Sequence, residues 1–205
     1  MKGRLITLEG SEGAGKSSLM RIMREWLEQQ GERVLTCREP GGTPTGEAIR
    51  RILLDRKRTG MLPHTELLLM FASRAQLVAE VILPAMEAGK TVICDRFADA
   101  SYAYQGGGRG LADNEIENLE RMVLGQLQPD LTILLDVPVK LGLKRARRTG
   151  KPDRFESEQQ AFFERVRKAY LRRAQLYPER IVVIDAAVKQ AVVSRQVRAV
   201  LEQRW

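Results

Sequence analysis

The chain has 205 residues, of which 43% are hydrophobic and 29% charged, and its formal net charge is +8. This length suits one α/β domain with a substantial core and is short for two domains. No uninterrupted apolar run approaches the roughly 18 residues of a membrane span, and the N-terminus lacks the pattern of a signal peptide, so we expect a cytoplasmic protein without a membrane segment. Cys37, Cys94 and the single histidine show no metal-binding spacing, and the two cysteines are interpreted as reduced core thiols.

Positive charge is concentrated in two stretches. Residues 140–154 contain seven basic side chains against one acidic side chain, and residues 50–58 contain five against one. Such clusters suit either small polyphosphate ligands or a nucleic acid. The charge alone does not choose between these two classes of partner.

Short β-branched apolar runs alternate with amphipathic stretches of helical length. The predicted strands cover residues 4–9, 33–37, 91–95, 131–136 and 180–185. The predicted helices cover about 16–30, 45–58, 65–88, 114–127, 138–148, 157–176 and 187–204. This alternation predicts an α/β fold in which a five-stranded parallel sheet is flanked by helices on both faces, with ligands at the carboxyl ends of the strands. We expect one domain over residues 1–205, with a basic lid at about 140–155 and a mobile glycine-rich loop at 105–110.

The first predicted strand leads into a phosphate-binding motif. Residues 10–17 fit G-x-x-x-x-G-K-[ST], in which backbone amides of a glycine-rich turn and the start of the next helix cradle phosphates. Lys16 is expected to reach the β- and γ-phosphates, and the Ser17 hydroxyl to contact Mg²⁺. The predicted ATP-binding residues are Gly10, Ser11, Glu12, Gly13, Ala14, Gly15, Lys16, Ser17 and Ser18.

Two later segments carry further candidate site residues. Asp95 ends the third predicted strand, where a carboxylate can hold Mg²⁺ directly or through water, and Arg96 would face the phosphates. Phe71 and Arg74 are three residues apart on a predicted helix and therefore share a face, where they could stack on a base and hydrogen-bond to it. A buried phenylalanine beside a surface arginine would give the same pattern.

The remaining motifs narrow the fate of the terminal phosphoryl group. A GTP-binding switch is disfavoured because the sequence contains no N-K-x-D and no D-x-x-G pattern. Transfer to a small acceptor is the preferred reading. Two alternatives stay open: a kinase of another small nucleotide or nucleoside, and a basic nucleic-acid-binding ATPase. The second lacks a basic stripe interleaved with aromatic residues.

Six segments in order resemble the thymidylate kinase family, in its bacterial form: LEGSEGAGKS, REPGGTPTGEAIR, LLLMFASRAQ, CDRFADASYAYQGGGRG, PDLTILLDV and RARRTGKPDRFE. They cover nearly the whole chain. The resemblance implies a P-loop kinase that transfers the γ-phosphoryl group of ATP to dTMP in dTTP biosynthesis. It also implies Mg²⁺ as cofactor and a homodimer, without a nucleic-acid partner.

The resemblance assigns roles to individual residues. Phe71 would stack on thymine, Tyr102 would border the sugar, and Glu12 would face its 3′-hydroxyl. The implied dTMP-binding residues are Glu12, Arg38, Glu39, Arg50, Phe71, Arg74, Arg96, Ser101, Tyr102 and Gln105. Family members without a P-loop arginine carry catalytic arginines in the lid, so the implied catalytic residues are Lys16, Arg96, Arg147, Arg148 and Arg154.

Overall fold

A computed structural model of the chain describes residues 3–148 and 153–205. The predicted five-stranded parallel sheet is confirmed, with strand order β2-β3-β1-β4-β5. Each strand begins and ends within one residue of its predicted bounds. The strands are β1 (Leu5–Glu9), β2 (Val34–Arg38), β3 (Thr91–Asp95), β4 (Leu131–Asp136) and β5 (Ile181–Asp185). The three inner strands are almost completely buried, which explains their near-continuous apolar sequences.

Helices cover both faces of the sheet. Against one face, α1 and α9 pack on side chains of β1, β3 and β4, and against the other face α3 and α4 pack on β1 and β3. α8 packs against β4 and β5 and forms a further part of the core there. The α-helices are α1 (Lys16–Gln29), α2 (Pro44–Leu54), α3 (Pro63–Leu77), α4 (Leu83–Glu87), α5 (Ala98–Ser101), α6 (Asp113–Leu124), α7 (Val139–Ala146), α8 (Gln160–Leu176) and α9 (Gln190–Arg204).

A π-helical turn, Val78–Ile82, joins α3 and α4 into one helical run from Pro63 to Glu87. By length and composition this run of 25 residues is apolar enough to cross a membrane, with a mean hydropathy of 1.6 in its most apolar window. Close to half of that window, 44%, is buried inside the fold. A helix that packs against a sheet passes the same test as a membrane span, and this helix contributes directly to the core.

The glycine-rich segment differs from the expected loop. Tyr102–Gly108 forms a π-helical continuation of α5 that packs against α8. A Cβ atom on Gly107 would lie 2.6 Å from the Ala169 Cβ, and one on Gly108 would lie 2.5 Å from the Phe162 ring. The glycines therefore allow close helix packing here, and the expectation of a mobile loop was wrong for this part of the segment.

The basic stretch is only partly described. α7 contains its first half, and Arg147 and Arg148 follow in a turn. Lys151, one of the seven basic residues of the stretch, lies outside the described residues. The described chain resumes at Asp153, beside the cleft discussed below.

Candidate functional site

The phosphate-binding motif forms the turn between β1 and α1. Gly10 and Gly13 have positive φ angles of 141° and 69°. A Cβ atom on Gly13 would lie 2.1 Å from the Gly142 carbonyl oxygen, so the turn packs against α7 too closely for any side chain. α1 begins directly after the turn, at Lys16, which points the first amides of the helix at the space in front of the loop.

Lys16 lies folded onto this turn. Its Nζ donates hydrogen bonds to the carbonyl oxygens of Gly10, at 3.1 Å, and Ser11, at 3.3 Å. Burial lowers the pKa of its ammonium group, and the nearby Arg96 guanidinium lowers it further. A phosphate group in the turn would offer this ammonium charge-assisted bonds that are stronger than those to neutral carbonyls.

Arg96 joins the phosphate-binding turn to the end of β3. It has φ of 69°, the one positive φ of a non-glycine residue in the described chain. Its guanidinium donates to the Gly10 carbonyl oxygen at 3.0 Å and forms an ion pair of 2.6 Å with Glu12, while Tyr104 lies beneath it at 4.8 Å. Such a strained backbone conformation persists only where the surroundings impose it, and it is common at functional sites.

Glu12 is held as a carboxylate by its neighbours. Burial would raise its pKa, but the charges of Arg96 and Lys16 and a hydrogen bond from the Tyr104 hydroxyl, at 2.9 Å, lower it overall. The turn therefore places an ionised carboxylate and two cations within one small volume.

These residues line a cleft of about 500 Å³ at the carboxyl ends of the strands. It extends from the phosphate-binding turn to Arg38, Glu39 and Arg50, and Asp153, Phe155 and Glu156 also line it. The lining includes the predicted site residues Glu12, Gly13, Ala14, Gly15, Lys16, Ser17, Ser18, Arg38, Glu39, Arg50, Asp95 and Arg96.

A second cavity of about 310 Å³ adjoins the other side of the turn. The turn between β5 and α9 lines it, with Val188 and Lys189, and so does Arg145 of α7. The Arg145 guanidinium donates to the carbonyl oxygens of Ala186, at 2.6 Å, and Ala187, at 3.1 Å. Arg145 lines both cavities, although in the sequence it is only one member of the basic stretch.

The predicted base-binding residues lie together behind the cleft wall. Arg74 is buried and donates to Glu39 at 2.8 Å, to the Ser101 hydroxyl at 3.1 Å and to the Phe97 carbonyl oxygen at 3.0 Å. Its guanidinium stacks on Phe71 at 4.4 Å. The predicted Phe71–Arg74 pair therefore forms, but both side chains are buried rather than open to the cleft.

Gln105 and Tyr102, two further predicted dTMP-binding residues, are held by other partners than Arg74. Gln105 is buried and donates through Nε2 to Glu66 at 2.8 Å, while its Oε1 has no hydrogen-bond partner among residues 3–148 and 153–205. The Tyr102 hydroxyl donates to Glu120 at 2.6 Å, and Arg173 covers its ring. Tyr102 is absent from the cleft lining, where Tyr104 stands instead.

The three predicted lid arginines also lie outside the cleft lining. Arg147 and Arg148 border a separate cavity on α7, together with Lys140 and Lys144. Arg154 donates to the Leu53 carbonyl oxygen at 2.7 Å and forms an ion pair of 2.7 Å with the buried carboxylate of Glu66. In this structure all three cations are directed elsewhere than toward the phosphate-binding turn.

Glu66 is a site residue that sequence reasoning missed. This buried carboxylate on α3 accepts hydrogen bonds from Gln105, Arg109 and Arg154. Arg109 also pairs with Glu158 at 2.5 Å. The cluster connects α3, the π-helical segment and the chain that follows the basic stretch. Only a charged residue inside an apolar helical run pointed to it in the sequence.

Glu9 was missed as well, because it reads as the polar end of a strand. It is fully buried, and it accepts hydrogen bonds of 2.7 Å from both the Phe97 amide and the Tyr170 hydroxyl. Burial, with the neighbouring Asp99 charge, raises its pKa to about 8. The Tyr170 hydroxyl in turn accepts a bond from Arg96 at 3.3 Å, so Glu9 supports the strained arginine indirectly.

The predicted magnesium ligands Ser17 and Asp95 both lie at the cleft, and Asp95 has an oxygen atom available for a cation. Within the part of the chain that the structure describes, the Asp95 Oδ1 atom is buried at the cleft without a hydrogen-bond partner, and Ser17 lines the same cleft. The described residues contain no group of three or more histidine, cysteine, aspartate or glutamate side chains suited to a metal ion. Magnesium commonly takes only one or two protein ligands and completes its shell with water and substrate phosphates. The donor set therefore fits that cation in the company of a nucleotide.

Comparisons with known proteins agree on one family. The sequence model described as thymidylate kinase matches residues 8–197. The thymidylate kinase of Pseudomonas entomophila is 54% identical over 201 residues, which is 98% of this chain and 96% of that protein. The thymidylate kinase of Nitrosomonas europaea is 50% identical over 204 residues, covering 100% of this chain and 94% of that protein. The crystal structure of thymidylate kinase from Ehrlichia chaffeensis superimposes with a TM-score of 0.81 at 30% identity, over 98% of this chain and 100% of that chain.

Proposed function

Because the chain belongs to the thymidylate kinase family, and so is an ATP-dependent dTMP kinase of dTTP synthesis, we propose that phosphoryl transfer takes place in the 500 Å³ cleft. The observation that carries this proposal is the convergence of Lys16, Arg96, Glu12 and Asp95 on that cleft. It places a phosphate cradle, two cations and a carboxylate oxygen that has no hydrogen-bond partner among the described residues in one cleft.

The donor nucleotide would bind across the phosphate-binding turn. The turn amides and the first turn of α1 hold the β- and γ-phosphates, and Lys16 exchanges the Gly10 and Ser11 carbonyls for phosphate oxygens. The neighbouring 310 Å³ cavity beside Arg145 and Val188 is placed to take the adenosine part.

Magnesium would be held between the nucleotide phosphates, Ser17 and Asp95, where it supplies positive charge to the transferred phosphoryl group. The unpartnered Asp95 oxygen supports this assignment. Lys16 and Arg96 position the two nucleotides and neutralise phosphate charge independently of magnesium.

The acceptor phosphate would lie on the side of the cleft bordered by Arg38, Arg50 and Arg96. Glu12, ionised and directed into the cleft, is suited to accept a hydrogen bond from the 3′-hydroxyl of the sugar. Tyr104 replaces Tyr102 in our assignment of the aromatic residue beside the sugar, because its ring lines the cleft.

The thymine ring would enter the wall that Phe71, Arg74, Ser101 and Gln105 form. Their shared burial, with the unpaired Gln105 Oε1 atom, supports a polar pocket that opens to admit a base. Phe71 then stacks on the ring, and the amide and guanidinium groups bond its polar edge.

The chemical step follows from these positions. An oxygen of the acceptor phosphate attacks the γ-phosphorus in line as the bond to the β-phosphate oxygen breaks. Such a loose transition state needs positioning and positive charge more than proton transfer, and Lys16 and Arg96 supply both. The segment at about 140–155 would act as the lid of a single domain, excluding water and bringing Arg147 or Arg148 toward the phosphates.

A panel of acceptors tests the assignment. With ATP and Mg²⁺, release of ADP should depend on dTMP and exceed that with dCMP or dGMP by at least about 100-fold, since a site that hydrogen-bonds the base discriminates by more than an apolar pocket does. The variant Lys16→Ala should lose transfer while keeping the fold. Faster turnover of another monophosphate, or near-normal activity of that variant, would contradict the assignment.

We also propose a cytoplasmic homodimer without a nucleic-acid partner. Leu62 and Leu68 at the start of α3 and Met122 on the adjacent α6 are large apolar side chains exposed by 57% or more, which supports a protein interface there. Light scattering should give twice the 23.2 kDa chain mass, and Leu68→Lys should reduce it to the monomer value. Salt-sensitive DNA or RNA binding would contradict the proposed absence of a nucleic-acid partner.

A further inference from the structure

The two cysteines lie side by side at the edge of the sheet. Cys37 of the edge strand β2 is paired in register with Cys94 of β3. Residues paired in register on parallel strands point to the same face, and neighbouring strands are about 4.8 Å apart. A disulfide joins Cα atoms about 4.4–6.8 Å apart. The pair is therefore positioned for a covalent bond with little backbone movement.

The two thiols differ in exposure. Both are free, with Cys37 partly exposed and Cys94 buried. A dissolved oxidant consequently meets Cys37 first, and Cys94 is adjacent as the second sulfur.

The pair also lies beside residues that line the proposed catalytic cleft, although neither cysteine lines it. The Cys94 thiol donates a hydrogen bond of 3.1 Å to the carbonyl oxygen of Arg96, the residue with the strained backbone. Arg38, the last residue of β2, and Glu39 directly follow Cys37, and the Glu39 amide donates to the Asp95 carbonyl oxygen at 2.9 Å. A change at either sulfur is thus one or two residues from groups that line the cleft.

We propose that Cys37 and Cys94 form a redox-modification site, in which a peroxide converts them to an intramolecular disulfide that slows phosphoryl transfer and a thiol reductant restores it. This inference rests on the proposed function only because the effect of the disulfide is measured as dTMP kinase activity. The modification itself is defined by the two sulfurs.

The reaction balances with hydrogen peroxide as oxidant. The Cys37 sulfur attacks one peroxide oxygen, the O–O bond breaks, and sulfenic acid and one water form. The Cys94 sulfur then attacks the Cys37 sulfur, the S–O bond breaks, and its thiol proton leaves with the hydroxyl as a second water. Two thiols and one peroxide become one disulfide and two waters.

Oxidation would alter the support of Arg96. A disulfide has no S–H group, so the Arg96 carbonyl oxygen loses its bond from Cys94, and the ends of β2 and β3 are tied together. We expect kcat/KM for dTMP to fall at least fivefold and to recover after reduction with dithiothreitol.

The experiment uses the whole chain, first reduced and assayed for dTMP-dependent ADP release, then treated with hydrogen peroxide. The expected result is a mass lower by about 2 Da, for two hydrogens lost, a peptide linking Cys37 to Cys94, and loss of activity that dithiothreitol reverses. If the reduced protein shows no dTMP-dependent ADP release, that result contradicts the proposed function and not the redox proposal.

Cys37→Ser is the matched control, since Cys37 contacts no proposed substrate site. This variant should retain the activity of the reduced protein and resist peroxide, whereas inactivation equal to that of the wild type would overturn the proposal by pointing to another oxidised residue. Failure of the linked peptide to form in excess peroxide would overturn it too. So would a disulfide that leaves kcat/KM unchanged.

Discussion

Arg154 and Glu66 form a buried ion pair of 2.7 Å that holds the end of the basic stretch against the first turn of α3. The Arg154 amide and side chain also donate to the carbonyl oxygens of Leu54 and Leu53. With these bonds Arg154 is a structural anchor, while the family resemblance implies that it is one of three candidate catalytic arginines. The two roles have different consequences on substitution.

The variant Arg154→Ala should therefore destabilise the protein. Removing one partner of a buried ion pair costs about 3–5 kcal/mol, and the lower end is expected because Arg109 still pairs with Glu66. Urea denaturation measures this change, with Arg148→Ala as control, since Arg148 forms no ion pair with any described residue. Unchanged stability with a 100-fold lower kcat would instead restore the catalytic role predicted from sequence.

A catalytic lid arginine is expected at Arg147 or Arg148. Neither borders the cleft in this structure, so lid closure must carry one of them to the phosphates. An arginine delivered to a phosphoryl-transfer transition state contributes about 10³–10⁵ in rate. Alanine variants made one at a time should therefore show a loss of kcat of at least about 100-fold in one case, measured by coupled ADP release.

Arg145 gives the matching test on the same helix. It already borders both cavities and holds the β5–α9 turn. Arg145→Ala should raise KM for ATP more than it lowers kcat. If Arg147 and Arg148 variants are both nearly normal while Arg145→Ala loses kcat, the catalytic cation belongs to α7 itself.

Phe71→Leu should weaken dTMP binding while largely keeping the core volume. Stacking of a base on an aromatic ring is worth about 1–3 kcal/mol, and leucine removes the ring. Calorimetry with dTMP measures the loss, and Phe97→Leu, at the other ring beside Arg74, serves as control for the general effect of a missing aromatic. Equal affinity of Phe71→Leu and wild type would show that thymine binds elsewhere.

The sequence predicted the fold closely because its signals are local. Each strand is a short apolar run, and the glycine pattern before Lys16 has one structural interpretation at the end of such a strand. Residues whose neighbours are close in sequence, such as Phe71 and Arg74, were also paired correctly.

Contacts between distant segments were less predictable. The pairing of Glu66 with Arg154 depends on how the chain after α7 returns to α3, which no spacing rule encodes. The side chain that lines the cleft is Tyr104 rather than Tyr102 because the segment is π-helical, and this changes which face each residue occupies. Glu9 was overlooked since its burial exists only in the folded sheet.

Glu9 leads to a prediction about pH. Its pKa is raised by burial from an ordinary value of 4.5 to about 8, so the folded protein holds a proton that the unfolded chain releases. The stability due to this proton is fully present below pH 4.5 and is lost as the pH rises through 8. Glu9→Gln keeps the shape of the side chain but cannot ionise. Its free energy of unfolding should consequently fall less between pH 5.5 and 8.5 than that of the wild type, measured by urea denaturation.

Glu87→Gln, at an exposed helix end, is the control and should follow the wild-type curve. Parallel curves for wild type and Glu9→Gln would mean that Glu9 is ionised throughout, held in that form by Arg96 and Tyr170 despite its burial.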